Sequence, residues 1–342
     1  MSLLHGWRRG VVLLSAGVVV AWLAVAWGSG MSLSGSDAWA VAPGAFTQDG
    51  FSGAKKIVEL PDYTVAVYEA GSGPPLLLLH GCPFSAVEWR AVIPELARHH
   101  RVIAPDLLGL GDTPVRLDQD YRLPHDVAMV RQLLDHYEIE RAPFVGHDHG
   151  GATVLLLMKE DPDRIAGAIL SNIEAYDLWP SLPEIPYLKA IVHPLTSPLV
   201  YYLMKYGVLN DDAFSLAFHD AEATLDEAML ASFTAPHVAD AARWQRLRRF
   251  FRWQLDEEHN RITMDAVPAM REFQRPVKLL WGRQDENFGP AIAERLIGDL
   301  PGAVGVEWFE HSGHMPMLEE PDKYATEVLA FVAGLEGSAS SD

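Results

Sequence analysis

The stretch VGHDHGG, residues 145–151, decides how the rest of the chain is interpreted. It ends an apolar run and leads directly into a helical run, residues 152–159. Glycines on both sides of a central Asp148 are typical of a nucleophile elbow, a sharp strand-turn-helix whose crowded backbone excludes larger side chains. Such a turn pushes its central side chain out at the end of the strand. The pattern therefore predicts Asp148 as a nucleophile, at a position where serine is more usual.

Short β-rich runs alternate with helical patterns from residue 55 onward, and the first two, Lys56–Leu60 and Thr64–Tyr68, predict a hairpin. Fully apolar runs bounded by turn residues indicate strands buried on both faces of a mostly parallel sheet. These runs are Leu76–Leu79, Val102–Ala104, Phe144–Val145, Ala168–Leu170 and Val277–Trp281. The predicted fold class is α/β, with a doubly wound sheet.

The strand-helix alternation stops for roughly a hundred residues after Leu170, and this part of the chain is helical and aromatic. We expect an inserted helical cap over residues 175–265, between two parts of a core formed by residues 45–174 and 266–336. Residues 337–342 are predicted to be a flexible tail. A cap beyond the carboxyl ends of the strands closes the place where open α/β sheets bind ligands.

Partners for Asp148 follow in the order nucleophile, acid, histidine. Asp285 ends the strand run WGRQD, residues 281–285, and His314 lies in HSGHMP, residues 311–316. The neighbouring Glu286 and His311 are weaker candidates for the same roles. The loop HGCP, residues 80–83, follows an earlier strand, so the backbone N–H of Cys82 is expected to form an oxyanion hole together with the N–H of His149.

Residues 55–335 resemble the haloalkane dehalogenase and epoxide hydrolase group of α/β hydrolases. The resemblance rests on the residues named above, on Trp89-Arg90 and on the run APDLLG at 104–109. The resemblance implies the α/β-hydrolase fold with a cap domain. It also implies a hydrolase that acts on a small hydrophobic organic substrate with water and needs no cofactor or metal.

An aspartate at the elbow narrows the reaction because its carboxylate is already anionic at neutral pH. It can therefore displace a leaving group from saturated carbon without prior loss of a proton, and this forms an alkyl ester on Asp148. Water would then hydrolyse the ester, with His314 as base and Asp285 fixing its tautomer. An ordinary esterase is disfavoured, since a carboxylate attacking an ester would give a high-energy anhydride.

The leaving group is open between two classes. The dehalogenases of this group hold the halide with a tryptophan after the nucleophile and often an asparagine in the His-Gly loop, where this chain has His149 and Cys82. His149 Nε2–H or Trp179 are possible replacements. Epoxide hydrolases need phenolic donors from the cap, which offers Tyr176, Tyr187, Tyr201, Tyr202 and Tyr206. The missing halide donors favour an epoxide hydrolase, with a haloalkane dehalogenase as the alternative.

We also expect His80, Tyr176 and Trp179 to border the substrate pocket. Two further classes stay open: a non-catalytic ligand-binding member of the fold, and a perhydrolase or lyase in which Asp148 orients rather than attacks. A fluoroacetate dehalogenase is disfavoured, since the arginines that hold the substrate carboxylate are absent at 149 and 152. The pair His147 and His149 has no third ligand in sequence and predicts no metal site.

The first 44 residues are set apart as a signal or membrane anchor plus linker. Two arginines precede the apolar stretch 11–27, which is the pattern of an export signal and is just long enough for a membrane anchor. The expected localisation is therefore exported or membrane-anchored, with a cytoplasmic enzyme as the alternative if translation starts at Met31. The sequence as a whole predicts no particular oligomeric state.

The charge balance argues against nucleic acid as a partner. The chain has 46 acidic and 27 basic residues, a net charge of −19, and repels phosphate backbones. A basic aromatic run at 243–255 is the exception. Its apolar residues fall at helical spacing, so we expect an apolar face packed on the cap with the arginines on the solvated side.

Overall fold

The computed structural model describes residues 39–41 and 55–339. Their main sheet has eight strands in the order β10-β9-β8-β7-β4-β5-β3-β2, and β1 and β6 form a separate antiparallel pair. In chain order the strands are β1 Trp39–Val41, β2 Lys55–Glu59, β3 Thr64–Ala70, β4 Pro75–Leu79, β5 Arg101–Pro105, β6 Val115–Arg116, β7 Ala142–His147, β8 Ile165–Ser171, β9 Val277–Gly282 and β10 Ala303–Phe309.

The predicted mostly parallel sheet is confirmed. Strands β5, β4, β7, β8, β9 and β10 pair in parallel, while β2 and β3 form the expected antiparallel hairpin at one edge. The apolar run Leu76–Leu79 is fully buried within β4, as required of a strand covered on both faces. The carboxyl ends of β4, β7, β8 and β9 therefore lie at one edge of the sheet, where the site forms.

Helices cover both faces of the sheet. The longest of these before the cap, α2, has buried apolar residues on one side and exposed polar residues on the other, which is the pattern of a helix packed on a sheet. The helices of the core are α1 Ile93–Leu96, α2 Leu123–His136, α3 Asp148–Glu160, α11 Pro290–Asp299, α12 Pro316–Glu319 and α13 Pro321–Ala339.

An insertion of helices lies between β8 and β9, where the sequence predicts a cap. Its helices are α4 Ile185–Val192, α5 Ser197–Lys205, α6 Asn210–Phe214, α7 Ala221–Thr224, α8 Glu227–Val238, α9 Ala241–Gln254 and α10 Glu257–Met270. The last helix continues past residue 265, the predicted limit of the cap. Residues 337–339 belong to the end of α13 rather than to a tail, since the run from Pro321 to Ala339 is rich in helix-forming residues.

The prediction that the arginines of α9 face solvent is wrong for two of them. Arg243 and Arg246 are buried, and Arg246 donates from Nη2 to the carbonyl oxygens of Gly111 and Pro236, at 2.8 and 2.9 Å. Arg243 Nη1 lies 3.2 Å from Asp112 Oδ1. Buried carbonyl oxygens of a loop make no hydrogen bonds within a sheet and need other donors. The guanidinium group supplies several N–H donors in a fixed geometry.

The predictions for residues 11–27 and for a start at Met31 lie outside the described residues. Within the described part of the chain, no helix combines the length and the apolar character that a membrane crossing requires.

Candidate active site

Strand β7 ends at His147 and helix α3 begins at Asp148, so the chain reverses direction within one residue. Asp148 has φ of +50°, a left-handed conformation that L-residues adopt only when the surrounding structure holds them there. A Cβ on Gly150 would lie 2.2 Å from the carbonyl oxygen of Leu79, so only glycine fits at that position. The geometry is that of the predicted elbow.

The two carboxylate oxygens of Asp148 have different partners. Oδ1 accepts a hydrogen bond from the backbone N–H of Cys82 at 2.6 Å, and Oδ2 lies 3.4 Å from Nε2 of His314. Burial alone raises the pKa of this carboxyl group, but the hydrogen bond and charge of His314 outweigh burial and lower the pKa to about 2. Asp148 is therefore an anion throughout the neutral range.

His314 is held from its other side. Its Nδ1 lies 2.9 Å from Oδ2 of Asp285, which also accepts a bond from Asn172 Nδ2 at 2.7 Å. Burial lowers the pKa of His314, yet the charges and hydrogen bonds of Asp285 and Asp148 raise it well above its usual value. Because Nδ1–H faces Asp285, Nε2 is the atom that faces Asp148. The weaker candidates Glu286 and His311 are exposed.

Of the two predicted oxyanion donors, the structure brings one to the Asp148 carboxylate. Within the described residues, the Cys82 N–H makes this bond and the His149 N–H does not. The loop that carries Cys82 is fixed by the N–H of Gly81, which donates to Glu88 Oε2 at 3.1 Å. Oδ1 thus already occupies the position in which an ester carbonyl oxygen on Asp148 would lie.

A cavity of about 180 Å³ opens beside Cys82 and His314 and is lined mainly by apolar side chains of the cap. Its polar wall includes three carboxyl groups, Glu174, Glu184 and Asp212, and one phenol, Tyr187. Asp148 is only 2% exposed, and its two contact residues form the wall in front of it. An apolar cavity with few polar groups is the usual form of a small-molecule site.

The three residues expected to border the pocket are not among its lining residues. His80 Nδ1–H donates to the carbonyl of Gly81 at 2.8 Å, and its Nε2 accepts from the N–H of Leu107 at 2.8 Å. His80 therefore connects the backbone just before Cys82 to the backbone at Leu107 and fixes the position of this loop. The polar ends of the other two side chains are bound elsewhere: Tyr176 donates to Asp299 at 2.9 Å, and Trp179 Nε1 donates to Thr263 at 2.8 Å.

His149 lies between two buried carboxyl groups. Its Nδ1 is 2.7 Å from Glu174 Oε2 and its Nε2 is 3.5 Å from Asp126 Oδ2. Burial by itself lowers the pKa of His149, but the charge of Glu174 and the hydrogen bonds of both carboxyl groups raise it to about 10. Nε2 faces Asp126 and His149 is not among the residues that line the cavity, so its Nε2–H is not placed to hold a departing halide. Gln254 Nε2 completes the cluster, 3.2 Å from Glu174 Oε1.

This cluster gives a stability prediction. His149→Gln should lower the free energy of unfolding by roughly 3–5 kcal/mol at pH 7, because it leaves two buried carboxyl groups without their cation. Urea denaturation measures the change, and His311→Gln, at an exposed histidine, is the matched control. A loss equal to that of the control would contradict the ion cluster.

The pH dependence of the same group has a defined sign. The folded pKa of about 10 lies above the ordinary value of 6.5, so the protonated ring stabilises the folded chain fully below about pH 6.5. That contribution is lost as the pH rises through about 10. We expect the NMR signal of the His149 ring to report an imidazolium at pH 8, and a neutral ring there would contradict the assignment.

Several site residues were missed in the sequence. Asn172 and Glu174 directly follow β8, and the rule that ligands lie beyond the carboxyl ends of strands would have pointed to them. Glu184 and Gln254 carry no such signal, since each lies within the cap at a position set by how its helices pack.

The possible metal donors next to Asp148 include a thiol that is protonated in the absence of a metal. Cys82 Sγ and carboxylate oxygens of Asp148 and Glu174 lie within 4.8 Å of one another. Burial and the nearby negative charges raise the pKa of the Cys82 thiol well above its usual value. A protonated thiol is a poor metal ligand, because cysteine binds metals as the thiolate.

Comparison with known families matches residues 74–321 to the alpha/beta hydrolase fold family. The chain belongs to this family. The match includes the elbow at Asp148, the acid at Asp285 and the histidine at 314. For this α/β hydrolase, hydrolase activity and the resemblance to the haloalkane dehalogenase group that the sequence indicated are thereby confirmed.

Two curated relatives differ in what they hydrolyse. The 2-hydroxymuconate semialdehyde hydrolase of Pseudomonas sp. (strain CF600) is 26% identical over 80% of this chain and 92% of its own length. Haloalkane dehalogenase 2 of Mycobacterium tuberculosis (strain ATCC 25618 / H37Rv) is 27% identical over 76% of this chain and 88% of its own. These relatives act on small organic molecules, and their names do not agree on the bond that is cleaved.

A solved haloalkane dehalogenase from Bradyrhizobium elkani USDA94 superposes with a TM-score of 0.70. It is 21% identical and covers 83% of this chain and 99% of its own. At that identity the similarity establishes the shared α/β-hydrolase fold, and the reaction must be argued from this chain's own site.

Proposed function

We propose that this α/β hydrolase opens epoxides of apolar organic molecules, with Asp148 as the nucleophile that forms a covalent ester. The observation that carries the proposal is the unequal environment of the two Asp148 oxygens. Oδ1 is held by the Cys82 N–H at 2.6 Å, while Oδ2 lies beside His314 Nε2 at 3.4 Å. Oδ2 is therefore the attacking atom, and Oδ1 becomes the ester carbonyl oxygen.

In the first step Oδ2 of Asp148 attacks a ring carbon, the carbon–oxygen bond of the epoxide breaks, and the ring oxygen takes a proton from an acid in the cavity. In the second step water gives a proton to His314 Nε2 and attacks the ester carbon. The negative charge on Oδ1 is then stabilised by the Cys82 N–H. On collapse the ester carbon–oxygen bond breaks, and the leaving alkoxide takes the proton from His314 to give the diol. The proton that remains on the Asp148 carboxyl group returns to the acid of the first step, which restores the Asp148 carboxylate.

The change in charge on Asp148 prepares His314 for the second step. In the resting site the charges of Asp285 and Asp148 raise the pKa of His314. Esterification removes the negative charge of Asp148, so the pKa of His314 falls and the ring releases its proton to solvent. The base is therefore available only after the ester has formed, which is when it is needed.

The cavity wall supports oxygen rather than halide as the leaving group. Glu174 and Glu184 both line the cavity near Asp148. Carboxyl groups repel a departing halide anion, whereas a protonated carboxyl group can deliver the proton that a ring oxygen needs. Glu174 is committed to His149, so Glu184 is the proposed acid, with the Tyr187 phenol three residues further on as a second donor to the same oxygen.

The haloalkane dehalogenase alternative is favoured by one observation, the side-chain amide of Gln254 in the cavity wall. Its Nε2 is an N–H donor of the kind that can hold a halide, and it lies 3.8 Å from Cys82 Sγ. In this arrangement the amide donates to Glu174. A halide would have to compete with that carboxylate for the same protons.

The pH dependence of epoxide opening tests the acid. Burial, together with the negative charges of Asp148 and Glu174, raises the pKa of Glu184 to about 7, against the opposing effects of His314 and of the side-chain hydrogen bond of Ser181. The protonated form is present below about pH 7 and is lost above it. We expect kcat/KM for styrene oxide to fall about tenfold for each pH unit above the folded pKa.

Replacing Glu184 by glutamine should remove this fall and lower kcat/KM for the epoxide at pH 6 by roughly 10²-fold. Turnover of a 1-bromoalkane, whose leaving group needs no proton, should change little. Glu286→Gln, at an exposed glutamate, is the matched control. Equal loss on both substrate classes would contradict the role of Glu184, and turnover of the bromoalkane alone by the wild type would establish the dehalogenase instead.

A further inference from the structure

Exposed large hydrophobic side chains are concentrated in one part of the cap. Seven of the nine found in the described chain lie between residues 178 and 208, among them Leu182, which is 83% exposed. Single exposed apolar residues are ordinary, but a contiguous group of them marks a binding surface. The seven are Leu178, Leu182, Tyr187, Leu195, Leu199, Tyr206 and Val208.

Part of this group forms a stripe along helix α5. Leu199 and Tyr202 lie three residues apart on α5, and Tyr206 follows four residues later, directly after the last helical residue, so the three side chains lie on the same side. Leu199 is 53% exposed and Tyr206 is 74% exposed, and the rings of Tyr202 and Tyr206 stack with their centroids 6.3 Å apart. The opposite side of α5 is already packed, because Met204 is buried against the rest of the cap. The outer stripe therefore serves no internal core.

The charge of this region is opposite to that of the chain as a whole. Residues 178–208, which carry the seven exposed side chains, contain two lysines, Lys189 and Lys205, and one acidic residue, Glu184, which lines the cavity, whereas the chain has a net charge of −19. Exposed leucines and tyrosines with lysines among them are the composition of surfaces that enter the headgroup layer of a bilayer, where lysine approaches the phosphates and tyrosine lies at the boundary with the acyl chains.

The surface adjoins the cavity. Tyr187 is both half-exposed and part of the cavity wall, and its helix neighbours Leu188 and Ile191 line the cavity from the inner side of α4. In the sequence, residues 28–38 connect the apolar segment 11–27 to strand β1. This strand pairs with β6 and lies against α9 of the cap. Strand β1, with which the described part of the chain begins, therefore lies next to the cap.

We propose that the cap surface formed by Leu182, Tyr187, Leu199 and Tyr206 docks on the surface of a phospholipid bilayer. The apolar stripe enters the boundary between headgroups and acyl chains, and the two lysines approach the lipid phosphates. The cavity then opens toward the membrane, from which apolar molecules enter it without crossing water. The docking does not depend on the reaction proposed above.

Site-specific photocrosslinking tests the docking. The full chain, with Leu199→p-benzoylphenylalanine or Tyr206→p-benzoylphenylalanine, is reconstituted with phosphatidylcholine vesicles, irradiated, and analysed by peptide mass. Val304→p-benzoylphenylalanine is the matched control, since Val304 is 61% exposed but lies on strand β10 of the α/β domain, outside the cap. We expect lipid adducts at positions 199 and 206 with at least tenfold the yield at position 304.

Other products would overturn the proposal. Crosslinks between two copies of the chain would assign the surface to a dimer, and crosslinks to residues 11–27 would assign it to that segment. Equal lipid yield at all three positions would show unspecific contact, and the absence of a lipid adduct at both cap positions would exclude docking. Circular dichroism of each variant establishes that it is folded, and both substituted residues are exposed and outside the proposed catalytic groups.

Discussion

Asp148→Ala should abolish turnover of every substrate class, with a loss in kcat on the order of 10⁴-fold or more. In the proposed mechanism this carboxylate forms the covalent ester, since Oδ1 is held by the Cys82 N–H and Oδ2 lies beside His314 Nε2. Initial rates with styrene oxide and a 1-bromoalkane measure the loss. Removing a single buried side chain leaves the binding cavity in place, so KM should change far less than kcat.

The matched control is Asp265→Ala, an exposed aspartate on cap helix α10. It should keep wild-type rates, and circular dichroism of both variants checks that they are folded. A rate in Asp148→Ala within tenfold of the wild type would contradict the nucleophile. Retained binding of a substrate together with no turnover in the wild type would instead favour the non-catalytic ligand-binding class.

Asp285→Asn should lower kcat by about 10⁴-fold, the magnitude found where an amide replaces the acid that orients a catalytic histidine. Oδ2 of Asp285 accepts from both His314 Nδ1 and Asn172 Nδ2. An amide at this position offers N–H groups to donors, so the histidine turns or adopts the other tautomer and Nε2 no longer serves as base.

The second step should suffer most in Asp285→Asn, because Asp148 still attacks without a base. Stopped-flow kinetics should therefore show rapid consumption of about one equivalent of epoxide as the ester forms, followed by slow turnover. Glu286→Gln, one residue later in the chain and exposed, is the control and should show neither effect. A loss of less than about tenfold in Asp285→Asn would assign the orienting role to another group, for which Glu174 and Glu184 in the cavity wall are candidates.

The fold was predictable because its signals are local. The apolar run 76–79, the glycines around Asp148 and the order of Asp148, Asp285 and His314 each depend on short stretches of chain. They determine a buried strand, an elbow and the loops at one sheet edge, and the structure brings those loops together with contacts of 2.6 to 3.4 Å. At each of these positions the structure tolerates few residue types, and for that reason the sequence was informative.

The cavity was less predictable because it depends on packing between distant elements. Tyr176 and Trp179 lie just after β8, yet their polar groups are taken by Asp299 and Thr263 from remote parts of the chain. His80 follows a strand end as a site residue would, but it binds loop backbone. No spacing rule shows which way such side chains turn.

The burial of charged side chains was the second feature that the sequence did not predict. Arg243 and Arg246 were expected in solvent because their helix has a clear apolar face. Backbone carbonyl oxygens of the loop at 110–113 accept hydrogen bonds from the cap arginines, which are therefore buried. These bonds form only where the loop and the cap helix pack together. For the same reason the ion cluster of His149 could not be foreseen from the motif that contains it.

The central claim is that Asp148 forms a covalent ester, and trapping that ester tests it most directly. His314→Gln removes the base of the second step, while the first step needs no base. The variant is incubated with styrene oxide or a 1-bromoalkane, and intact mass and peptide mass are recorded. We expect the mass of the added alkyl group on the peptide that contains Asp148, with the epoxide as the more reactive substrate. An unmodified Asp148 in the variant, while the wild type turns over the same substrate, would contradict the account.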